Sequence, residues 1–393
     1  MRKAGLIFIL LLVLVLSLTG CGKNDQATVQ PDNDKQQTEQ VENVDTDGSK
    51  DIKEDEPANR VGDAEEEKEE ENRIREPEQL VDPDKPTGER EEEELEGNEK
   101  VNLKTAPFSG KLMNRFSLPR PVMVTIENSP AARPQAGLED ASIIYEFLAE
   151  GGITRFLALY YEKFPKKIGP VRSTRPYFIE KAIEYDALLI HAGASPLGWH
   201  MLANRDIDHV DQIRIQKYFW RNSSRRAPHN LYTGADSFKD YFSKQNPVEI
   251  KKRFPSRMVS FVDESQANMT EEINIKYWGG YTVDYKYNRQ RGNYLRFING
   301  VPHLTESGKK LYAHNIFIQY VDTKVKDDAG RLEMKLEGSN KALLFKDGLV
   351  FQGQWVKEKD QPTHFLDGRG NKMTINPGQT WIQVVPTKTK IRY

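Results

Sequence analysis

The chain has 393 residues, with 57 Lys and Arg against 59 Asp and Glu, and a single cysteine, Cys21. One sulfur excludes an internal disulfide and every multi-cysteine zinc or iron–sulfur site, so stability must come from core burial, with length enough for two domains. The net charge of −2 conceals two opposite parts: residues 23–100 hold 29 acidic and 11 basic residues, a net of −18, while residues 101–393 carry +14.

The chain opens with Met1-Arg2-Lys3, followed by an apolar run over residues 6–18 broken only by Ser17. A positive start, a short apolar core and small residues after it form a secretory signal. The run is well short of the roughly 20 residues that a membrane-spanning helix needs. Leu18-Thr19-Gly20-Cys21 then resembles the lipobox of bacterial lipoproteins. That resemblance implies cleavage between Gly20 and Cys21, and a diacylglycerol with further acyl chains such as palmitate on Cys21. Each buried methylene adds about 0.8 kcal/mol, so two or three chains make a permanent anchor. Residues 1–20 are therefore expected as signal peptide, and the mature protein as lipid-anchored on the extracytoplasmic face of the cell membrane. Residues 21–106 are expected as the lipidated cysteine and a disordered acidic linker. Residues 23–100 have no aromatic side chain, and low hydrophobicity with high net charge cannot offset chain entropy. Like charges extend such a tether.

The folded body begins near Pro107. Residues 121–127, PVMVTIE, predict a strand ended by the turn residues Asn128-Ser129-Pro130. Residues 143–148 and 155–161 predict a hairpin-like pair around Glu150-Gly151-Gly152. The period then changes: Tyr177, Phe178, Lys181, Ala182 and Tyr185 share a helix face entered through Pro176, a favoured first-turn residue. A strand over 187–191 and helices over 196–204 and 237–244 complete a mixed α/β domain, 107–250. Beyond Phe261, short runs at 273–277, 281–287, 294–298, 316–321, 332–336, 342–345, 350–355 and 380–385 alternate with turn signals such as Asp347-Gly348 and Pro377-Gly378. This spacing predicts a second, mostly antiparallel β domain over 264–386, a barrel or sandwich. The fold class is α+β, preceded by the signal peptide and the acidic tether.

Three stretches of the first half, RPVMVTIENSPAARPQAGLEDASIIYEFLAEGGITRFLALYY, IGPVRSTRPYF and LLIHAGASP, together with INPGQTWIQVVP near the end, resemble the YerB-type lipoproteins of Gram-positive bacteria. The resemblance covers residues 107–386. It implies lipid anchoring, an outward-facing position and paired N- and C-terminal domains of unknown function, with no established activity.

The richest chemical candidate is Arg172-Ser173-Thr174-Arg175, just before the Pro176 helix start. Helix N-termini present free amides, and arginine offers a planar fork for phosphate or carboxylate. With Arg225 and Arg226 of the loop RNSSRRAPH, these residues form an expected anion-binding set. The competing reading is that Ser173 or Thr174 caps the helix and that the arginines pair with Glu146, Glu150 or Glu180. For catalysis the candidates are His191, Ser195, His200 and His229, with a histidine as base. Ser195-Pro196 reads equally as a helix cap, and no Gly-x-Ser-x-Gly elbow occurs. Asp206, Asp208, His209 and Asp211 match no EF-hand or zinc spacing. No metal, cofactor or nucleic-acid partner is expected. His303, His314 and His364 have no partner spacing, and Trp278, Trp355 and Trp381 are expected in the core.

Two functions from different classes stand. One is a non-enzymatic binding or scaffold protein for an anionic cell-wall polymer or an envelope protein, since net charge governs association rather than fold. The other is an envelope hydrolase or transferase with an arginine–histidine site. A substrate-binding lipoprotein is a further alternative.

Overall fold

The computed structural model describes residues 103–247, 268–359 and 361–393. Residues 1–102, with the expected signal peptide, Cys21 and most of the expected linker, lie outside the described residues. The end of that linker, expected to be disordered to 106, is instead part of the body, since Lys104–Thr105 pair antiparallel with Leu112–Met113 and Ala106 is fully buried. In chain order the principal elements are β1 (Val122–Glu127), β2 (Ile143–Leu148), β3 (Thr154–Tyr160), α1 (Pro176–Glu184), β4 (Leu188–His191), α2 (Pro196–Asn204), β5 (His209–Asp211) and α3 (Ala235–Phe242). They continue with β6 (Asn268–Met269), β7 (Glu272–Lys276), β8 (Thr282–Asn288), β9 (Asn293–Ile298), β10 (Asn315–Val321), β11 (Gly338–Lys346), β12 (Leu349–Lys357), β13 (His364–Asp367), β14 (Thr380–Pro386) and β15 (Lys390–Arg392).

One eleven-stranded sheet runs β6-β12-β11-β10-β14-β2-β3-β1-β4-β5, with β13 also on β12. The two halves meet inside it: β14 of the second lies parallel to β2 of the first, Thr380 opposite Ile143 and Val384 opposite Phe147. Strands from both expected domains therefore share one sheet. The second half is not a closed antiparallel barrel, because β14 is parallel to both its neighbours, β10 and β2. A parallel partner must come from far along the chain, and local periodicity carries no trace of it.

The central strands explain their own sequences. Every residue of β1, β2 and β3 is buried, as continuous apolar runs require when both sheet faces are covered. On β2, successive side chains alternate. Tyr145 and Phe147 face α1: the Tyr145 and Tyr185 hydroxyls lie 2.9 Å apart, and the Phe147 ring lies 5.1 Å from those of Tyr177 and Phe178. Glu146 points to the other face and meets Arg296 of β9. That face carries a second, six-stranded antiparallel sheet built on β9-β8-β7-β15. Its strands alternate strictly, with Ile273, Ile275, Val283, Tyr285, Tyr294 and Ile298 turned inward. Around β2 and β14 the body is thus three layers: helix, mixed sheet, small sheet. Trp355 and Trp381 are both in the core.

Candidate functional site

Strands β1 and β4 run parallel from Val122–Val124 beside Leu188–Ile190 and then separate. The segment 169–174 fills the gap between them. Glu127 N donates to Pro170 O at 2.9 Å and Arg172 N to Thr125 O at 2.9 Å. On the other side, Ala192 N donates to Arg172 O at 3.1 Å and Thr174 N to Gly193 O at 2.9 Å. The arginine-rich segment therefore lies across the carboxyl ends of two parallel strands, the usual place for a ligand in an open α/β sheet. Gly169 makes this possible: at φ +148° a Cβ would come within 2.8 Å of Leu231 O.

Glu127, the last residue of β1, is the centre of the cluster. Its side chain is only 3% exposed. His229 Nδ1 lies 2.9 and 3.0 Å from its two oxygens, and Ser129 Oγ donates to Oε1 at 2.9 Å. Arg172 Nε is 3.4 Å from Oε2. Around it, Asn128 is fixed by Arg133, whose Nη2 donates to Asn128 O at 2.7 Å, and by Gln135, whose Nε2 donates to Asn128 Oδ1 at 2.9 Å. Arg225 closes the loop by donating to the carbonyls of Ala132 and Pro134 at 2.8 and 2.7 Å.

A second group lies at the other end of the arginine segment. Arg175 Nε donates to Glu150 Oε1 at 2.5 Å, and the buried Arg155 donates to Ser173 O at 2.8 Å with Glu150 Oε2 3.8 Å away. Burial first, then the neighbouring Arg175 and Arg172, push Arg155 down to about 10 against the opposing pull of Tyr177 and Glu150. The main cause is loss of water around the guanidinium, with the nearby arginines adding to it.

The expected anion set is thus only partly assembled. Arg172 is in the Glu127 cluster. Arg175 is paired with Glu150, and Arg225 spends its donors on backbone. Arg226 is exposed. Neither Ser173 nor Thr174 caps α1, since the N-cap position is Arg175 and no side chain accepts there.

Of the histidine–serine candidates, only His229 joins the site. His191 is fully buried with both ring nitrogens occupied, Nδ1 2.9 Å from Gly193 O and Nε2 3.0 Å from His209 Nδ1. Ser195 caps α2, accepting from Gly198 N at 3.2 Å. His200 sits exposed on α2. The polar turn after β4 is likewise committed: Asp208 pairs with Arg120, and Asp211 Oδ1 accepts from Gly193 N at 2.7 Å. Among the described residues no group of three or more His, Cys, Asp or Glu is placed to hold a metal.

Glu127, Asn128, Ser129, Arg133 and Gln135 escaped the sequence reading. Their signal was present: the string ENSPAARPQ puts five polar residues at and just beyond the end of a largely apolar strand.

Burial, partly offset by the Gly193 carbonyl and Asp211, pushes His191 down to about 4, and burial lowers His209 as well. The unfolded imidazole titrates near 6.5, so between pH 6.5 and 4 the unfolded chain binds the extra proton and stability rises with pH. The contribution is complete above pH 6.5 and is lost as pH falls toward 4, about 3 kcal/mol from His191 alone. Urea titrations at pH 7.5 and 4.5 are expected to show it, with His191→Gln flattening the profile. An equal midpoint shift in wild type and variant would contradict it.

The site does not stand on the first half alone. Gln135 Oε1 is 2.9 Å from His303 Nε2, and Arg296 Nε donates to His303 Nδ1 at 3.1 Å. Tyr281 OH receives from Asn128 Nδ2 at 2.7 Å. A mixed sheet with a polar cluster at the carboxyl ends of its parallel strands, and a small β module bonded into that cluster, defines a two-part protein whose site depends on both parts. The chain belongs to the DUF3048 family: residues 109–248 match the description "Protein of unknown function (DUF3048) N-terminal domain" and 273–382 its C-terminal domain. It is 33% identical over 287 residues to "Putative lipoprotein YerB" of Bacillus subtilis (strain 168), covering 72% of this chain and 86% of that protein. The crystal structure of the YerB protein from Bacillus subtilis superposes with a TM-score of 0.66 at 30% identity, over 74% of this chain and all of that one.

Proposed function

We propose that this is a lipid-anchored envelope protein, tethered through Cys21 on the outer face of the membrane, whose body binds an anionic wall polymer at Arg172, beside His229. The lipobox and the lipoprotein name carried by the relative support the anchor. The observation that carries the binding reading is the buried Glu127 carboxylate, which holds Arg172 and His229 while leaving their side chains 28% and 26% exposed. A buried anion that holds the Arg172 guanidinium as an ion pair while leaving it part-exposed preorganises it for a second anion without the full entropy of ordering a long side chain. The +14 of residues 101–393 adds long-range attraction.

The test is co-sedimentation of the full-length protein with purified wall polymer over a salt series. Affinity is expected to fall steeply with salt. Arg172→Ala, which removes a charged group from the Glu127 cluster, is expected to weaken binding roughly tenfold or more, and Arg175→Ala, whose guanidinium is held by Glu150, to weaken it less. Salt-independent binding, or full affinity in Arg172→Ala, would refute the site. Cys21→Ala is expected to move the protein from the membrane to the soluble fraction.

A further inference from the structure

We propose that Glu127 and His229 form a general-base dyad, and that the site hydrolyses a carboxylic ester borne by the anionic chain it holds. The proposal rests on the binding reading above and adds an activity to it. The geometry is that of an oriented imidazole. Glu127, nearly fully buried, accepts from His229 Nδ1 through both oxygens, at 2.9 and 3.0 Å. An acceptor-only carboxylate on Nδ1 places the ring proton there and leaves the Nε2 lone pair free. That nitrogen has no partner among the described residues, and the ring is 26% exposed. A buried carboxylate holding one tautomer of a part-exposed histidine is how hydrolases orient a general base.

The nucleophile is water rather than a serine. Ser129 Oγ lies on the Nδ1 side, 3.4 Å from that nitrogen, and gives its hydrogen to Glu127 at 2.9 Å. It therefore cannot pass a proton to Nε2. The bond cleaved follows from there being one histidine. At a carbonyl, attack and departure occur through one tetrahedral intermediate, so a single imidazole can take the proton from the incoming oxygen and return it to the leaving one. In-line displacement at phosphorus puts those oxygens on opposite sides, out of reach of one ring. In the step, His229 Nε2 accepts a proton from water as its oxygen bonds to the acyl carbon. The carbonyl oxygen becomes an oxyanion beside the Arg172 guanidinium, a charge that such a donor stabilises. The C–O bond to the alcohol then breaks, its electron pair leaves with the alkoxide, and His229 returns the proton to it. Ester and water become acid and alcohol, with no oxidant and no co-reactant.

The probe is 4-nitrophenyl acetate, followed by release of 4-nitrophenolate with the full-length protein, alongside co-sedimentation with wall polymer. His229→Gln is expected to lower the rate by about 100-fold or more, the scale of general-base catalysis. Glu127→Gln is expected to lower it and change its pH profile, and His200→Gln, an exposed histidine outside the site, to leave it unchanged. Equal rates in wild type and His229→Gln, with circular dichroism showing the variant folded, would overturn the dyad. The two readings fail separately. Arg172-dependent, salt-sensitive binding without His229-dependent hydrolysis sinks the esterase and leaves the binding site. His229-dependent hydrolysis with unaltered polymer binding by Arg172→Ala does the reverse.

Discussion

Arg296→Ala is expected to lower the free energy of unfolding by about 3–5 kcal/mol, the usual result of breaking a buried ion pair and leaving its partner charged. Both members of the Arg296–Glu146 pair are 0% exposed at 2.8 Å. Burial works against the guanidinium's charge, yet Glu146 and the surrounding tyrosines hold its pKa above the ordinary value. Arg296 also donates to Tyr285 OH at 2.7 Å and lies 4.4 Å from the Trp381 ring centre. Glu146 in turn accepts from Thr154 Oγ1 at 2.6 Å and Tyr281 OH at 2.8 Å. Truncation would strand a carboxylate with only neutral donors, the hydroxyls of Thr154 and Tyr281 and the Asn128 amide at 3.4 Å, and open a cavity against Trp381. Equilibrium urea unfolding followed by tryptophan fluorescence measures the loss. The double variant Glu146→Gln/Arg296→Met, which removes both charges, should recover most of it. A loss below about 1 kcal/mol in Arg296→Ala would mean that water reaches the pair and screens it.

Lys181→Ala is expected to have an effect of the same order, about 3–5 kcal/mol, for the same physical reason at a different joint. Lys181 sits on the inner face of α1, fully buried, with Nζ 2.8 Å from Glu184 Oε2 and 2.7 Å from Thr363 Oγ1. Thr363 N donates to Glu184 Oε1 at 2.7 Å, so the cluster ties α1 to the loop before β13 in the second half. Burial lowers the lysine's pKa, and Glu184 opposes that. Lys181→Met/Glu184→Gln keeps an acceptor for the Thr363 amide while removing both charges, and is expected to be far milder than Lys181→Ala. Hydrogen exchange at the β13 amides reads the joint directly: faster exchange there in Lys181→Ala, with β7–β9 unchanged, is the expected pattern. If the single and double variants destabilise equally, an unpaired charge is not the cause.

These two clusters show where local reading stops. Lys181 was readable as a residue on a helical apolar face, since Tyr177, Phe178, Ala182 and Tyr185 share its side, but nothing nearby in sequence announces Thr363. Arg296 shares one face of β9 with Tyr294 and Ile298, so its inward direction follows from strand period alone. Its partner is 150 residues away. The strands themselves were legible because their burial patterns are local: PVMVTIE is largely apolar and the β7–β9 runs are apolar on one face. The pairing of β14 with β2 was not, since register is set by partners that period-2 alternation cannot name.

The site divides in the same way. Arg172, Arg225 and His229 stood out by residue type, and Ser195 was readable as a cap from the proline after it. His191 looked equally reactive, yet the fold buries it and occupies both its nitrogens. Glu127 looked like the last residue of a strand, and the fold makes it the carboxylate on which Ser129, Arg172 and His229 converge. Side-chain chemistry, strand and helix period and the lipobox-like stretch Leu18-Thr19-Gly20-Cys21 are written along the chain, because each depends on residues a few positions apart. Which carboxylate meets which cation is decided only when β1, β4 and the loops at 169–174 and 221–230 come together, because a charge is stabilised or stranded by neighbours in space and by the water they exclude.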